Sequence, residues 1–440
     1  MRIVKIGLMG WGTVGCGVVR ALRENAGVIR DRLGAELELA KVADLDLETE
    51  RPEPVARELL TRRAEDVLED PDIDIVVELI GGLEPAGSFI LKALENGKHV
   101  VTANKALLAH RGNELFRKAL EQGRSIRFEA AVAGGIPLIK SLREGLAGNR
   151  IDTLFGILNG TANYILTRMT EAGLSFGEAL EEAQRKGIAE ADPSLDVEGV
   201  DAAHKLAIAS ALSFGSVIQF DKVHVEGISG VDPLDIRLGR EFGYDLKLLA
   251  IARHADGRME MRVHPTLIPA GHVLASVKGA YNAVYIHGNE VGDVMLYGLG
   301  AGMSPTGSAV VADLVDLARD LADGSPDHVP PLAFRPDRLR EIPIKPIADV
   351  VTCYYFRFAA LDRPGVLSKI AGILGEHHIS IAAVIQKGRE VEGAVPIVMQ
   401  THEALESNVR KALGEIDRLD VVVSPTRYLR IEVPHSGSLP

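Results

Sequence analysis

The residues most able to do chemistry gather between Gly187 and Ile208. There five carboxylates (Glu190, Asp192, Asp196, Glu198 and Asp201) precede a single lysine, Lys205, and an apolar run. A cation set among anions suits a reaction that builds negative charge on an oxygen, because a positioned ammonium both neutralises that charge and delivers a proton. Asp201 and Lys205 stand four residues apart, so on a helix they lie about 40° apart on one face. Glu198 and Asp201 favour the protonated lysine while burial favours the neutral one, and the sequence leaves that balance open. Such pairs are more often surface ion pairs than catalytic ones. The run "LAIASALSF" directly after Lys205 weighs against that, since it places the lysine where a helix turns inward. Asp192, before Pro193, reads as a helix start. Glu198 reads as a solvated charge, and His204 as a core-edge histidine instead of a base.

A second group opens the chain. "GLMGWGTVGCGVV" holds Gly10-x-Gly12-x-x-Gly15. With 45 glycines in the chain a chance match is easy, but this one follows a predicted strand and opens a predicted helix, the context of a dinucleotide site. There Gly10 permits a tight turn, Gly12 lets the backbone approach a pyrophosphate, and Gly15 lets helix pack on strand. Amides near Thr13 and Val14 would receive the anion. Asp44, ending the second strand in "VADLD", can accept from a ribose 2′-hydroxyl and would repel a 2′-phosphate, which predicts NAD over NADP. An ordinary turn aspartate explains the residue almost as well. Cys16 and Cys353 have no metal-ligand or disulfide spacing and read as incidental thiols.

The elements that must position these groups follow from periodicity. Residues 1–128 alternate β-branched runs with helical stretches, predicting a Rossmann-like doubly wound α/β sheet. Residues 300–325, a glycine loop and long helix, are expected to return and complete it. From about Ile126 the pattern changes to strands such as "SIRFEAAVAGG" interleaved with helices at Glu178–Lys186 and Val197–Leu212. This defines a mixed α/β substrate and dimerisation domain over 129–300. The Pro- and charge-rich span 326–350 reads as a linker. Residues 351–432 read βαββαβ, a ferredoxin-like unit, and 433–440 as a disordered tail.

At 440 residues the chain suggests two or three domains. Its 46% hydrophobic and 25% charged residues describe a folded protein. The net charge of −12 has no basic stripe, which argues against a nucleic-acid partner. No apolar run suffices to cross a bilayer, and "MRIVKIGLMG" enters a strand pattern without a cleavage region, so the expected location is cytoplasmic with no membrane role.

"HVVTANKALL", "FEAAVAGGIP", "GILNGTANYIL", the opening acidic stretch and "GAGMSPTGSAV" together, in this order, resemble homoserine dehydrogenase. The final unit resembles the amino-acid-binding ACT domain. The resemblance implies reversible hydride transfer between L-aspartate 4-semialdehyde and L-homoserine, with NAD or NADP as cofactor, on the route to threonine, methionine and isoleucine. It makes Lys205 the proton donor and puts Lys105 between nicotinamide and substrate. Glu190 becomes a substrate ligand, Asp196 and Asp201 supporting carboxylates, and Gly160 and Thr161 the substrate lining, while Gly302 falls near the cofactor. A monovalent cation, sodium, is implied at Glu129 and at main-chain oxygens of Val132, Gly134 and Ile136. A homodimer or homotetramer is implied as well. Two departures stand out. "ADLD" takes the place where NADP-preferring members often carry a basic residue, and Gly307 replaces the alanine of the usual "PTASAV".

In the ACT-like unit the loop Asp362 to Leu367, with Gln386, is the implied site for threonine as a feedback effector. A dimerisation module without a ligand is the alternative for that unit. For the whole chain the alternative is a non-catalytic sensor of NAD(H) and an amino acid, although such a sensor is expected to have lost Lys105 and Lys205.

Overall fold

The computed structural model describes residues 2–324, 329–386 and 394–434. Its first sheet contains β1 (Ile3–Met9), β2 (Glu36–Ala43), β3 (Leu60–Thr61), β4 (Ile75–Glu78), β5 (His99–Thr102) and β6 (Ile126–Arg127). All pair in parallel, in the order β3-β2-β1-β4-β5-β6. The central strand cores are apolar on both faces because helices cover both, which is why Val4, Ile6, Leu8, Ile75 and Val77 have no exposed surface. The doubly wound expectation therefore holds. The helix Met303–Asp323 returns to this sheet, and its Val310, Leu314 and Leu317 join the core of Val4, Ile6 and Val18.

"SIRFEAAVAGG" does not form one strand. Only Ile126–Arg127 is extended, as the last strand of the first sheet, and Glu129–Ala131 is a 3₁₀ turn. The break follows from backbone geometry: Ala133 and Gly134 both take left-handed conformations (φ 61° and 53°), which no strand tolerates.

The second sheet begins with β7 (Ile151–Ile157), β8 (His224–Val225), β9 (Tyr244–Ala255), β10 (Arg258–Pro269), β11 (Tyr281–Gly288) and β12 (Gly292–Leu299). It continues through the C-terminal unit with β13 (Val351–Leu361), β14 (Ile381–Gln386), β15 (Ala394–Thr401), β16 (Ala404–Leu405) and β17 (Val422–Ile431). The order is β12-β11-β7-β9-β10-β17-β13-β15-β14, with β8 on β10 and β16 on β13. Within it, β17-β13-β15-β14 is the strand order of a ferredoxin-like unit. Helices Val366–Glu376 and Glu406–Ile416 cover one face of that unit.

The terminal unit is thus not a bead on a linker. Parallel pairing of Thr266 with Arg430 and Leu267 with Ile431 makes one sheet of both domains. The supposed linker also docks: Arg340 bridges Ser216 and Ile344 bridges Met259. Part of that span, and 435–440 of the tail, lie outside the described residues.

The helix expected over Val197–Leu212 is two. A single turn, Ser194–Val197, ends before Gly199, and a second helix runs Val200–Phe214. Gly199 sits at φ 81°, and a Cβ there would come within 3.2 Å of Val225 and Val263. The helix expected over Glu178–Lys186 runs Phe176–Arg185, started by a Ser175–Glu178 capping box.

Candidate active site

The helix Val200–Phe214 is buried from Asp201 onward, the pattern of a helix enclosed on all sides. Lys205 and Asp201 therefore lie inside the protein, with side chains 10% and 7% exposed. Lys205 Nζ donates to Asp201 Oδ2 at 2.6 Å and to the Leu158 carbonyl at 2.8 Å. An ammonium has three N–H bonds, so one remains for another acceptor.

Lys105 reaches the same carboxylate from the other domain. It is the first residue of the helix Lys105–Glu121, whose cap, Asn104, accepts from Leu107 N and donates to the Gly82 carbonyl. This start lies just past β5, at the carboxyl edge of the first sheet, the same edge from which the glycine loop leaves β1. Lys105 Nζ is 3.2 Å from Asp201 Oδ1, with its side chain 43% exposed. One buried carboxylate thus holds both lysines. Burial alone would raise the Asp201 carboxyl, but the ammoniums of Lys205 and Lys105 outweigh it and hold the group well below the usual carboxylate range. Asp201's charge in turn raises Lys105 above the ordinary lysine value, with Asp196 and Glu190 adding to the effect.

Asn159 completes the cluster, and the sequence reading passed over it. Its Nδ2 donates to Asp196 Oδ1 at 2.7 Å and to Asp201 Oδ2 at 2.8 Å, while its Oδ1 caps the helix Gly160–Ala172 by accepting from Ala162 N. "NGT" at a helix start was the available signal, since asparagine is a favoured cap. Gly160 and Thr161 follow directly. A Cβ on Gly160 would lie 2.6 Å from the Ala280 carbonyl, and Thr161 Oγ1 donates to the Ile188 carbonyl. Glu190 is exposed, with its main-chain carbonyl 3.1 Å from Gln184 Nε2. Asp192 turns its carboxylate onto Ser194, at the start of the one-turn helix. Glu198 is exposed. His204 is buried against His110 and Phe220, and burial lowers its pKa to about 4, so it stays neutral near pH 7.

In the glycine loop each glycine meets a different constraint. Gly10, at φ 97°, would place a Cβ 2.7 Å from the Leu79 carbonyl; one on Gly15 would overlap the Gly10 carbonyl; one on Gly12 would meet open space. Gly12 caps the helix Thr13–Glu24, whose first amides, at Thr13 and Val14, have no acceptor within the helix. Asp44 lies beside the loop with Oδ2 accepting from Trp11 N at 2.6 Å and Oδ1 from Asp46 N at 2.9 Å. It ties the loop to the end of β2 and keeps lone pairs for a hydroxyl. Gly302 caps the returning helix. That helix crosses Thr13–Glu24 where Gly307 meets Gly17, since a Cβ on Gly307 would overlap Gly17's main chain. Cys16 is buried within the first helix and Cys353 is half-buried.

Glu129 is buried, with Oε1 accepting from Ile139 N at 2.9 Å and Oε2 from Lys140 N at 2.7 Å. Burial pushes its carboxyl up to about 7. Beside it, Asp313, whose Oδ2 accepts from Glu129 N, is pushed up to about 8 by burial and by Glu129's charge. Ala133 and Gly134 form a left-handed turn after the 3₁₀ turn of Glu129, and Gly135 N donates to the Leu299 carbonyl. The Glu129 carboxylate and the main-chain carbonyls of Val132, Gly134 and Ile136 offer only oxygens, the ligand type that hard cations take. In the terminal unit the loop Asp362–Leu367 turns at Gly365 (φ 90°), and Gln386 ends the edge strand β14, exposed and level with Ile397 and Phe358. No helix among the described residues is long and apolar enough to cross a membrane.

Residues 137–315 match the family model "Homoserine dehydrogenase", residues 10–129 "Homoserine dehydrogenase, NAD binding domain", and residues 354–421 "ACT domain". A homoserine dehydrogenase of Pseudomonas aeruginosa is 48% identical over 436 residues, covering 98% of this chain and 99% of that protein. One of Neisseria gonorrhoeae is 46% identical, covering 99% of this chain and 100% of its own length. The crystal structure of a homoserine dehydrogenase from Thiobacillus denitrificans superposes with a TM-score of 0.93 at 49% identity, covering 98% of this chain and 99% of that one.

Proposed function

The chain belongs to the homoserine dehydrogenase family, an oxidoreductase with a nicotinamide-binding domain and a C-terminal ACT domain, and from that premise we propose how its residues divide the work. The observation that carries the reading is the Asp201 carboxylate shared by Lys205 and Lys105 at the meeting of the two domains. The substrate pair is L-aspartate 4-semialdehyde and L-homoserine, and the bound nicotinamide cofactor supplies or accepts the hydride. Lys205, held by Asp201 and Leu158, directs its remaining N–H at the carbonyl oxygen and delivers a proton as that oxygen gains charge. In the reverse direction Lys205 takes that proton back. Lys105 stands between the cofactor's crevice and the substrate and adds positive potential there. Asp196 and Asn159 hold Asp201 in place. Glu190 takes the substrate's ammonium, and Gly160 and Thr161 line its other side.

The glycine loop at Gly10, Gly12 and Gly15, with the amides of Thr13 and Val14, holds the pyrophosphate. Gly302 closes the cofactor's other side, and Asp44 selects NAD by accepting from its ribose hydroxyl. Glu129 and the carbonyls of Val132, Gly134 and Ile136 hold sodium. The loop Asp362–Leu367 with Gln386 takes threonine as feedback effector, and the enzyme works as a homodimer or homotetramer in the cytoplasm.

One set of assays tests these roles: homoserine-dependent reduction of NAD and of NADP, each in sodium and in choline buffer, with and without millimolar threonine. NAD is expected to give the higher kcat/KM, choline to lower the rate, and threonine to inhibit. Tenfold higher efficiency with NADP would overturn the reading of Asp44. Equal rates in choline would remove the cation, and indifference to threonine, with no heat on titration, would remove the effector.

A further inference from the structure

Close to the turn 194–199 lies a part-buried ionic contact between the terminal unit and the substrate domain. Arg430, on β17 and 1% exposed, is gripped by two carboxylates. Its Nε and Nη2 donate to Glu406 at 2.8 and 2.7 Å, within the terminal unit. Its Nη1 and Nη2 donate to Glu226 at 2.8 and 2.9 Å, in the substrate domain. Tyr354 braces Glu406 and His224 braces Glu226, each by a further hydrogen bond.

Glu226 belongs to a segment pressed against the turn that carries Asp196. Glu226 N donates to the Val263 carbonyl at 2.8 Å, and Ile228 N to the Val197 carbonyl at 2.7 Å. A Cβ on Gly227 would lie 2.6 Å from both Glu198 Cα and Val197 O, so the two backbones touch. Val197 is next to Asp196, and Gly199, whose Cβ position is 3.4 Å from the Glu226 carbonyl, starts the helix of Asp201 and Lys205.

We propose that Glu226 and Arg430 are positioning residues for the substrate site: the pair pins the segment 226–228, which sets where the turn 194–199 presents Asp196. The terminal unit thereby forms part of the support of the substrate pocket and not of the cofactor crevice. The inference rests on Asp196 and Asp201 belonging to the substrate site. Neither Glu226 nor Arg430 touches a reacting atom, so the effect falls on substrate binding.

The test uses the full-length enzyme carrying Glu226→Gln, Asp196→Asn and both together, with steady-state homoserine oxidation and thermal unfolding recorded for each. Glu226→Gln is expected to raise KM for homoserine about tenfold while KM for the cofactor moves less than about twofold. In Asp196→Asn the same change is expected to add little, because both act on one contact. Gly227→Ala, which pushes on Val197 and Glu198 without altering the ion pair, is expected to give the same selective rise. An unchanged homoserine KM in Glu226→Gln, equal rises for both substrates, or full additivity with Asp196→Asn would overturn the proposal. So would loss of folded protein in Glu226→Gln together with an unchanged homoserine KM in Gly227→Ala, or loss of folded protein in both variants without a selective effect. If Asp196→Asn itself left homoserine KM unchanged, the reading of the substrate site would fall instead.

Discussion

Replacing Asp201 with asparagine separates the role of its charge from that of its shape. The wild-type carboxylate lies 2.6 Å from Lys205 Nζ and 3.2 Å from Lys105 Nζ. At an effective dielectric of about 20, one such contact is worth roughly 5 kcal/mol before desolvation. Removing one partner of a buried pair costs about 3–5 kcal/mol net. Lys105 is 43% exposed, so water screens its share and the total belongs near the lower end. We therefore expect Asp201→Asn to lose about 3 kcal/mol of stability and, because Lys205 is no longer aimed, a factor of roughly 10²–10⁴ in kcat. The pH dependence has a definite sign. Asp201 raises Lys105, so its loss lets that ammonium deprotonate at lower pH, and the alkaline limb of kcat/KM moves down. Asp201's own carboxyl is depressed in the fold. It contributes stability above the unfolded value of about 3.9, and that contribution fades as pH falls below it. The stability gap between wild type and variant should therefore narrow in acid. Rate profiles across pH, with denaturant unfolding at neutral and acid pH, supply the measurements. Turnover within about fivefold of wild type and an unmoved alkaline limb would refute a shared-carboxylate mechanism.

Lys205→Ala should lower kcat about 10³-fold while leaving cofactor affinity, read by fluorescence titration, within about twofold. Turnover kept within a few-fold would remove Lys205 from the chemistry. Gly307→Ala restores the usual family residue but drives a Cβ into Gly17's main chain. It should cost about 1–3 kcal/mol in denaturant unfolding, and an unchanged midpoint would show that the helices part without penalty. Asp44→Ala removes the acceptor for Trp11 N and Asp46 N together with the carboxylate proposed to accept from the ribose. KM for NAD should rise about tenfold and the NAD-to-NADP preference shrink; an unchanged preference would leave Asp44 as a loop anchor alone.

How much was legible in the sequence follows from the range of the interactions involved. The parallel sheet was readable because β-branched runs such as "IVKIGLM" and "IVVE" alternate with helical stretches, the order that favours parallel pairing. The Asp201–Lys205 contact was readable because helix geometry fixes i, i+4 neighbours locally. Lys105 on Asp201 was not readable from spacing, because 96 residues and a domain boundary separate them, 201 − 105. Asn159 was missed for the same reason, its two carboxylate partners lying 37 and 42 residues on. The break at Gly199 needed tertiary knowledge too: the chain turns there at φ 81° with Val225 and Val263 pressed close. The largest gap was the docking of the terminal unit. β10 and β17 pair through only two residue couples, and no local pattern announces so short a seam.

That seam limits how the terminal unit can act on the rest. Besides Arg430 on Glu226, Arg357 of β13 donates to Asp235 at 2.5 and 2.9 Å and to Asp232 at 2.7 Å, and Tyr355 donates to Asp235 at 2.8 Å. Glu432, just past β17, meets Arg262 and Arg253, each at 2.6 Å. Swinging the unit away as a rigid body would break all of these charge-assisted hydrogen bonds together, each worth about 1.5–3 kcal/mol. A ligand's differential affinity for two states commonly supplies only about 1–3 kcal/mol. A signal from the terminal unit must therefore travel as a small displacement with the ion pairs intact. The contact best placed to carry it inward is the one whose next neighbours are Val197 and Asp196. Rigidity at the seam and sensitivity at the substrate site are then two effects of the same buried charges.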